Sequence, residues 1–239
     1  MNLNGYKLIF EDDFNGSELN TEVWNYRGTG KQRAAYCGPS QVRLENGNLI
    51  IKYEYRTEGD DGEGWYTGQI ALKEWFCRGY FECRMICNDP DPTKFWSAFW
   101  MQAKHPYTAD SCGGIHGAEI DIVEAFRTRE GYAAAMSNIH CAGYADGSES
   151  EGIRSQCIAF KRLDDCYKNY HTYGLEWTDE VYRIFIDDEC VGVSTWADGV
   201  NRDADELIFS LCAPENAPED KTLTGEMIVD WVKVYKKED

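Results

Sequence analysis

Basic charge is what this sequence has least of. Lys and Arg number 24 against 42 Asp and Glu, a formal net charge of −18 over 239 residues. No Lys/Arg cluster breaks the deficit. A nucleic-acid binder needs a basic face to displace counterions from phosphates. An anionic membrane surface would repel such a chain. Both partners are therefore excluded, and an uncharged ligand suits the composition best. Long apolar runs are missing as well: no window approaches the ~18 residues of a membrane-spanning helix. Met1–Phe10 has no basic segment followed by an apolar stretch, so the chain reads as cytoplasmic, or as a secreted protein given without its signal peptide. Among the ten cysteines no C-x-x-C pair occurs, and the tightest spacing is Cys83-x₃-Cys87, which argues against structural zinc. A chain of this length does not need a disulfide framework. Cys83 and Cys212 alternate with apolar residues in strand-like runs and read as small buried hydrophobes, with surface disulfides as the alternative.

Convincing amphipathic helices are also absent; Arg162–Tyr170 has room for one short helix. What is present is a series of strand-like runs bounded by Gly, Asn and Asp. They include Leu8–Phe14, Gln41–Tyr55, Trp65–Ile70, Gly79–Cys87, Ser97–Gln102, Glu119–Phe126 and Ala134–His140. Five more follow between His171 and Tyr235. Asn46-Gly47 and Asp187-Asp188 mark tight hairpins, the first with the residues a type I′ turn requires. About a dozen strands with short turns give an all-β fold of stacked sheets or a barrel, as one domain over residues 1–239. Glu58–Gly64 and Ala145–Gly152, acidic and glycine-rich, read as surface loops.

The chemistry concentrates in residues 119–124, Glu-Ile-Asp-Ile-Val-Glu. Strand side chains alternate faces, so Glu119 and Asp121 share one face and Ile120 and Ile122 the other. Glu124 is out of phase, and a one-residue bulge near Val123 would return it to the acidic face. Three neighbouring carboxylates raise one another's pKa. A solvated edge strand would tolerate the row. The apolar set Ile120, Ile122, Val123, Ala125 and Phe126 instead suggests a central strand. Two close carboxyls, one ionised and one protonated, are the arrangement of a retaining glycosidase.

Here the sequence resembles glycoside hydrolase family 16, whose signature Glu-x-Asp-x-x-Glu is matched by Glu119, Asp121 and Glu124 in its bulged form. The resemblance spans nearly the whole chain. It includes Leu8-Ile9-Phe10-Glu11-Asp12-Asp13-Phe14, Trp24-Asn25, Gly79-Tyr80-Phe81-Glu82 and Phe95-Trp96-Ser97-Ala98-Phe99-Trp100. Asn138-Ile139-His140, His171–Trp177 and Met227–Tyr235 complete it. It implies a β-jelly-roll sandwich of two antiparallel sheets with a concave substrate cleft. It also implies endo-hydrolysis of β-glycosidic bonds with retained configuration. Glu119 would be the nucleophile, Asp121 its helper and Glu124 the acid/base.

Other positions carry weaker expectations. Trp96 and Trp100 share a face and would stack on sugar rings, core packing being the alternative. Glu82 and Arg84 also share a face, either as an ion pair lining the cleft or as solvated surface; the family's matching positions contact substrate. Asn25 matches a sugar-binding position, and His140 one beside the acid/base. Many relatives carry a structural calcium, which Asp13, Gly47 and Asp230 could match; catalysis itself needs no cofactor. The expected substrate is a β-1,3-1,4-glucan or β-1,3-glucan, acted on by an extracellular monomer. Xyloglucan and agar-type galactan are alternatives, as is a non-catalytic glucan-binding lectin. A sulfated galactan would want a basic cleft, which the net charge disfavours.

Overall fold

The computed structural model describes residues 3–238, and every structural statement below is made of these. In chain order the strands are β1 (Tyr6–Asp12), β2 (Trp24–Tyr26), β3 (Gly30–Gln32), β4 (Ala35–Cys37), β5 (Val42–Glu45) and β6 (Asn48–Arg56). Next come β7 (Gly64–Thr67), β8 (Gln69–Phe76), β9 (Gly79–Ile86), β10 (Trp96–Ala103), β11 (Glu119–Arg127) and β12 (Ala133–Cys141). The rest are β13 (Arg154–Arg162), β14 (His171–Trp177), β15 (Tyr182–Ile186), β16 (Glu189–Ser194), β17 (Asp205–Cys212) and β18 (Gly225–Lys237). Seven of them form one sheet in the order β13-β12-β11-β10-β17-β8-β2, and eleven form the other, with β9 between β14 and β18. All pairs are antiparallel except β4 with β7. This is the two-sheet jelly roll that the sequence implied.

Alternation along the strands builds the core between the sheets. β10 sends Phe99 and Met101 inward, β11 sends Ile120 and Ile122, and β9 answers with Phe81, Cys83 and Met85. Phe99 stacks on Phe209 and Tyr53 on Phe95, with centroids 4.8 and 4.3 Å apart. Five of the ten cysteines are buried, Cys83 among them. Asn46-Gly47 and Asp187-Asp188 all have positive φ, the turn geometry expected of tight hairpins.

Three local expectations are corrected. Arg162–Tyr170 is not a helix: after β13 ends, its backbone closes turns, Asn169 donating to Asp165. Trp65–Ile70 is split between β7 and β8. Strands β2 to β4 went unread because three residues carry no periodicity, and β13 because its nine residues are mostly exposed and show no clean apolar alternation.

Candidate active site

Strand β11 lies inside the seven-stranded sheet, between β10 and β12. Its register explains the acid row. Trp100 pairs with Asp121 but Phe99 with Val123, so Ile122 is an extra residue. On the other side Asp121 pairs with Asn138 and Glu124 with Met136, leaving Ile122 and Val123 opposite Ser137. Ser137 Oγ donates to the Ile122 carbonyl at 2.6 Å. Both bulged side chains point into the core, and Glu124 returns to the face of Glu119 and Asp121.

Each carboxylate has a distinct environment. Glu119 Oε2 accepts from Gln102 Nε2 at 2.6 Å and also from the Tyr107 hydroxyl. Burial, with the Glu119 charge beside it, raises the Tyr107 phenol and keeps it protonated. Asp121 is buried and accepts from His140 Nε2 at 3.0 Å; burial holds its carboxyl well above the usual range, against the pull of that hydrogen bond. His140 Nδ1 meets Ser155 Oγ at 2.6 Å. Burial works to lower the His140 pKa, but the Asp121 carboxylate outweighs it and the net shift is upward. Glu124 Oε1 accepts from Trp96 Nε1 and Oε2 from Asn138 Nδ2, both at 2.8 Å. Burial raises its carboxyl above the usual range despite these donors. The row thus holds a carboxyl biased toward the protonated form near a carboxylate that accepts two hydrogen bonds on one oxygen.

The structure brings together Glu119, Asp121, Glu124, His140, Trp96 and Trp100. Asn25 joins the same face at its edge, through the pairs Asn25–Ala71, Ala71–Ile208 and Ile208–Trp100. The tryptophans are not open platforms. The Arg27 guanidinium lies 4.9 Å from the Trp100 ring centroid and that of Arg33 5.2 Å from Trp96. Trp100 Nε1 donates to Ser210 Oγ at 2.9 Å.

Glu82 and Arg84 are a correction. They lie on β9, in the other sheet, and do not pair with each other. Glu82 accepts from the Tyr80 hydroxyl at 2.8 Å. Arg84 bonds the Asp230 carboxylate and lies over the Tyr170 ring. That ion pair also bears on calcium. Of the residues offered for calcium, Asp230 is bonded by the Arg84 guanidinium and Asp13 Oδ1 accepts from the Asn15 backbone N–H. Among the described residues, the acidic and histidine atoms close enough to share an ion are those of Glu119, Asp121 and His140.

Among the cleft residues that escaped the sequence reading are Arg27, Arg33, Gln102 and Tyr107. Gln102 was legible, continuing the alternation Trp96, Ala98, Trp100. The others sit in turns or loops with no period to betray them.

Comparison with known proteins now decides the family. The model described as "Beta-porphyranase A-D, GH16 domain" matches residues 9–237. The chain belongs to glycoside hydrolase family 16. Among curated relatives, it is 26% identical to glucan endo-1,3-beta-glucosidase A1 of Niallia circulans, over 98% of this chain but 38% of that protein. The chain therefore spans well under half of that relative. It is 23% identical to a beta-glucanase of Rhodothermus marinus, covering 97% of this chain and 85% of the relative. Porphyranase B from Zobellia galactanivorans superposes with a TM-score of 0.80 at 21% identity, covering 98% of this chain and 94% of the other. At that identity the superposition speaks for the family 16 fold.

Proposed function

We propose that this glycoside hydrolase is a retaining endo-hydrolase of an agar-type, β-linked galactan bearing sulfate, and that it acts outside the cell. Glu119 attacks the anomeric carbon with Oε1, since Oε2 is occupied by Gln102 and Tyr107. Glu124, its carboxyl raised by burial toward the protonated form, gives its proton to the leaving oxygen. The glycosyl ester on Glu119 is then hydrolysed by a water that the deprotonated Glu124 activates. Asp121, joined to His140, supports the row between them.

The observation that carries the substrate class is Arg33. Its guanidinium sits over Trp96, the residue that hydrogen-bonds Glu124, and its ion pair with Glu215 is solvent-exposed. Arg27 is more firmly committed, to Glu206 at 2.8 Å and Gln102 at 2.5 Å. A guanidinium beside the acid/base suits an anionic ester, whereas a glucan offers it no charge. The description of the matching family model points the same way. Net charge had argued against a sulfated polymer, but a local pair of arginines decides more than a distant sum.

A neutral β-1,3- or mixed-linkage glucan is the second reading, favoured by the glucanases that match 97–98% of the chain. Product analysis on porphyran, agarose, laminarin and lichenan separates them. Cleavage of porphyran, weakened by Arg33→Ala, is expected. Cleavage of laminarin or lichenan alone would overturn the galactan reading, and binding without cleavage of any would favour the lectin.

A further inference from the structure

Two exposed aromatic side chains lie on the cleft face at opposite edges, and the acid row uses neither. Trp75 on β8 is 42% exposed and Phe160 on β13 is 51% exposed. Register fixes the face of each. Trp75 pairs with Glu206, Glu206 with Gln102 and Gln102 with Glu119, so the indole ends the row of Glu119. Phe160 pairs with Met136 and Met136 with Glu124, so the phenyl ring ends the row of Glu124. Directly opposed partners project from the same side of a sheet.

The ground between Trp75 and Glu119 is a hydrogen-bonded polar floor, Arg27 bridging Glu206 and Gln102 and Gln102 reaching Glu119. Such a floor suits sugar hydroxyls, and the indole at its end suits a sugar's C–H face. Trp75 stands three strands from β11 and Phe160 two, roughly 14 and 10 Å at about 4.8 Å per spacing. A sugar at the cleavage point reaches neither ring, but a polymer lying across the sheet reaches both. Among the described residues neither ring has an aromatic or cationic partner, so each leaves apolar surface in water.

We propose that Trp75 and Phe160 are stacking platforms for distal sugar residues, one at each end of the cleft, and that they set the length of polymer engaged. This rests on the hydrolase reading above. The test uses the polysaccharide that the wild-type protein cuts best, and oligosaccharides of it too short to span the cleft. Trp75→Ala and Phe160→Ala should each raise KM for the polymer roughly 3- to 10-fold with kcat kept, and the pair should act additively. Short oligosaccharides should be cut at the wild-type rate, Trp75→Phe should retain most of the polymer affinity, and the thermal midpoint should not move. An active wild type with unchanged polymer KM in both alanine variants would overturn the platforms alone. So would an equal loss on polymer and short oligosaccharides. A wild type that cuts no β-linked polysaccharide would instead overturn the hydrolase reading on which the proposal rests.

Discussion

Glu119 presents its two carboxylate oxygens unequally. Oε2 is claimed by Gln102 and Tyr107, which leaves Oε1 to react. If Glu119 is the nucleophile proposed above, its loss forfeits the covalent route, so Glu119→Gln should cost at least ~10³-fold in kcat/KM on every substrate, measured by reducing-sugar release. Glu124 has a different task. Its proton matters only while the leaving oxygen needs one, so Glu124→Gln should spare aryl glycosides with acidic phenol leaving groups far more than the polymer. Equal losses on both substrate types would contradict the acid role. Tyr107 bonds Glu119, the proposed nucleophile, without itself reacting. Tyr107→Phe removes one of two donors on Oε2 and should lower kcat roughly 10-fold while leaving KM within about a factor of two. Wild-type kcat in that variant would show that Gln102 suffices.

At the scale of the element, β11 carries a conflict between stability and chemistry. Burial raises the carboxyls of Asp121 and Glu124 above their ordinary values, so the folded chain holds protons that the unfolded chain has released. The stability they contribute is fully present below the ordinary carboxylate range, about pH 4, and is lost as pH rises through the folded values. His140, shifted upward by its hydrogen bond to Asp121, titrates together with that carboxyl, and the pair loses stability in the same direction. Asp121→Asn should therefore flatten the stability–pH curve and raise the thermal midpoint at pH 8, while activity falls. A midpoint that drops at pH 8 would mean the Asp121–His140 hydrogen bond outweighs the desolvation. The same element shows why part of the site was legible. A broken alternation with apolar residues on both sides of the break betrays a bulge, and Ile122 and Val123 supplied it. Glu82 and Arg84 failed because alternation says which residues share a face, never which sheet the strand joins. That choice depends on β14 and β18, which are distant in sequence. Because β9 puts Arg84 on Asp230, EDTA should leave the calorimetric unfolding transition unchanged; a clear fall would restore calcium.

Over the whole molecule two fields oppose each other. On the galactan reading proposed above, a net charge of −18 repels the polymer at a distance, while Arg33, over Trp96, would attract it within the cleft. Salt separates them by range. The screening length is about 10 Å at 0.1 M, so modest salt removes the distant repulsion and leaves contacts of a few ångströms largely intact. Higher salt then weakens the contacts too. For a sulfated galactan, KM should first fall and then rise as sodium chloride is increased. For neutral agarose or laminarin it should stay flat across the same series. Arg33→Ala should remove most of the rise at high salt and keep the initial fall, because that fall belongs to the surface and not to the cleft. Identical salt profiles for charged and neutral polymers would show that the arginines of the cleft serve only to brace the tryptophans beneath them.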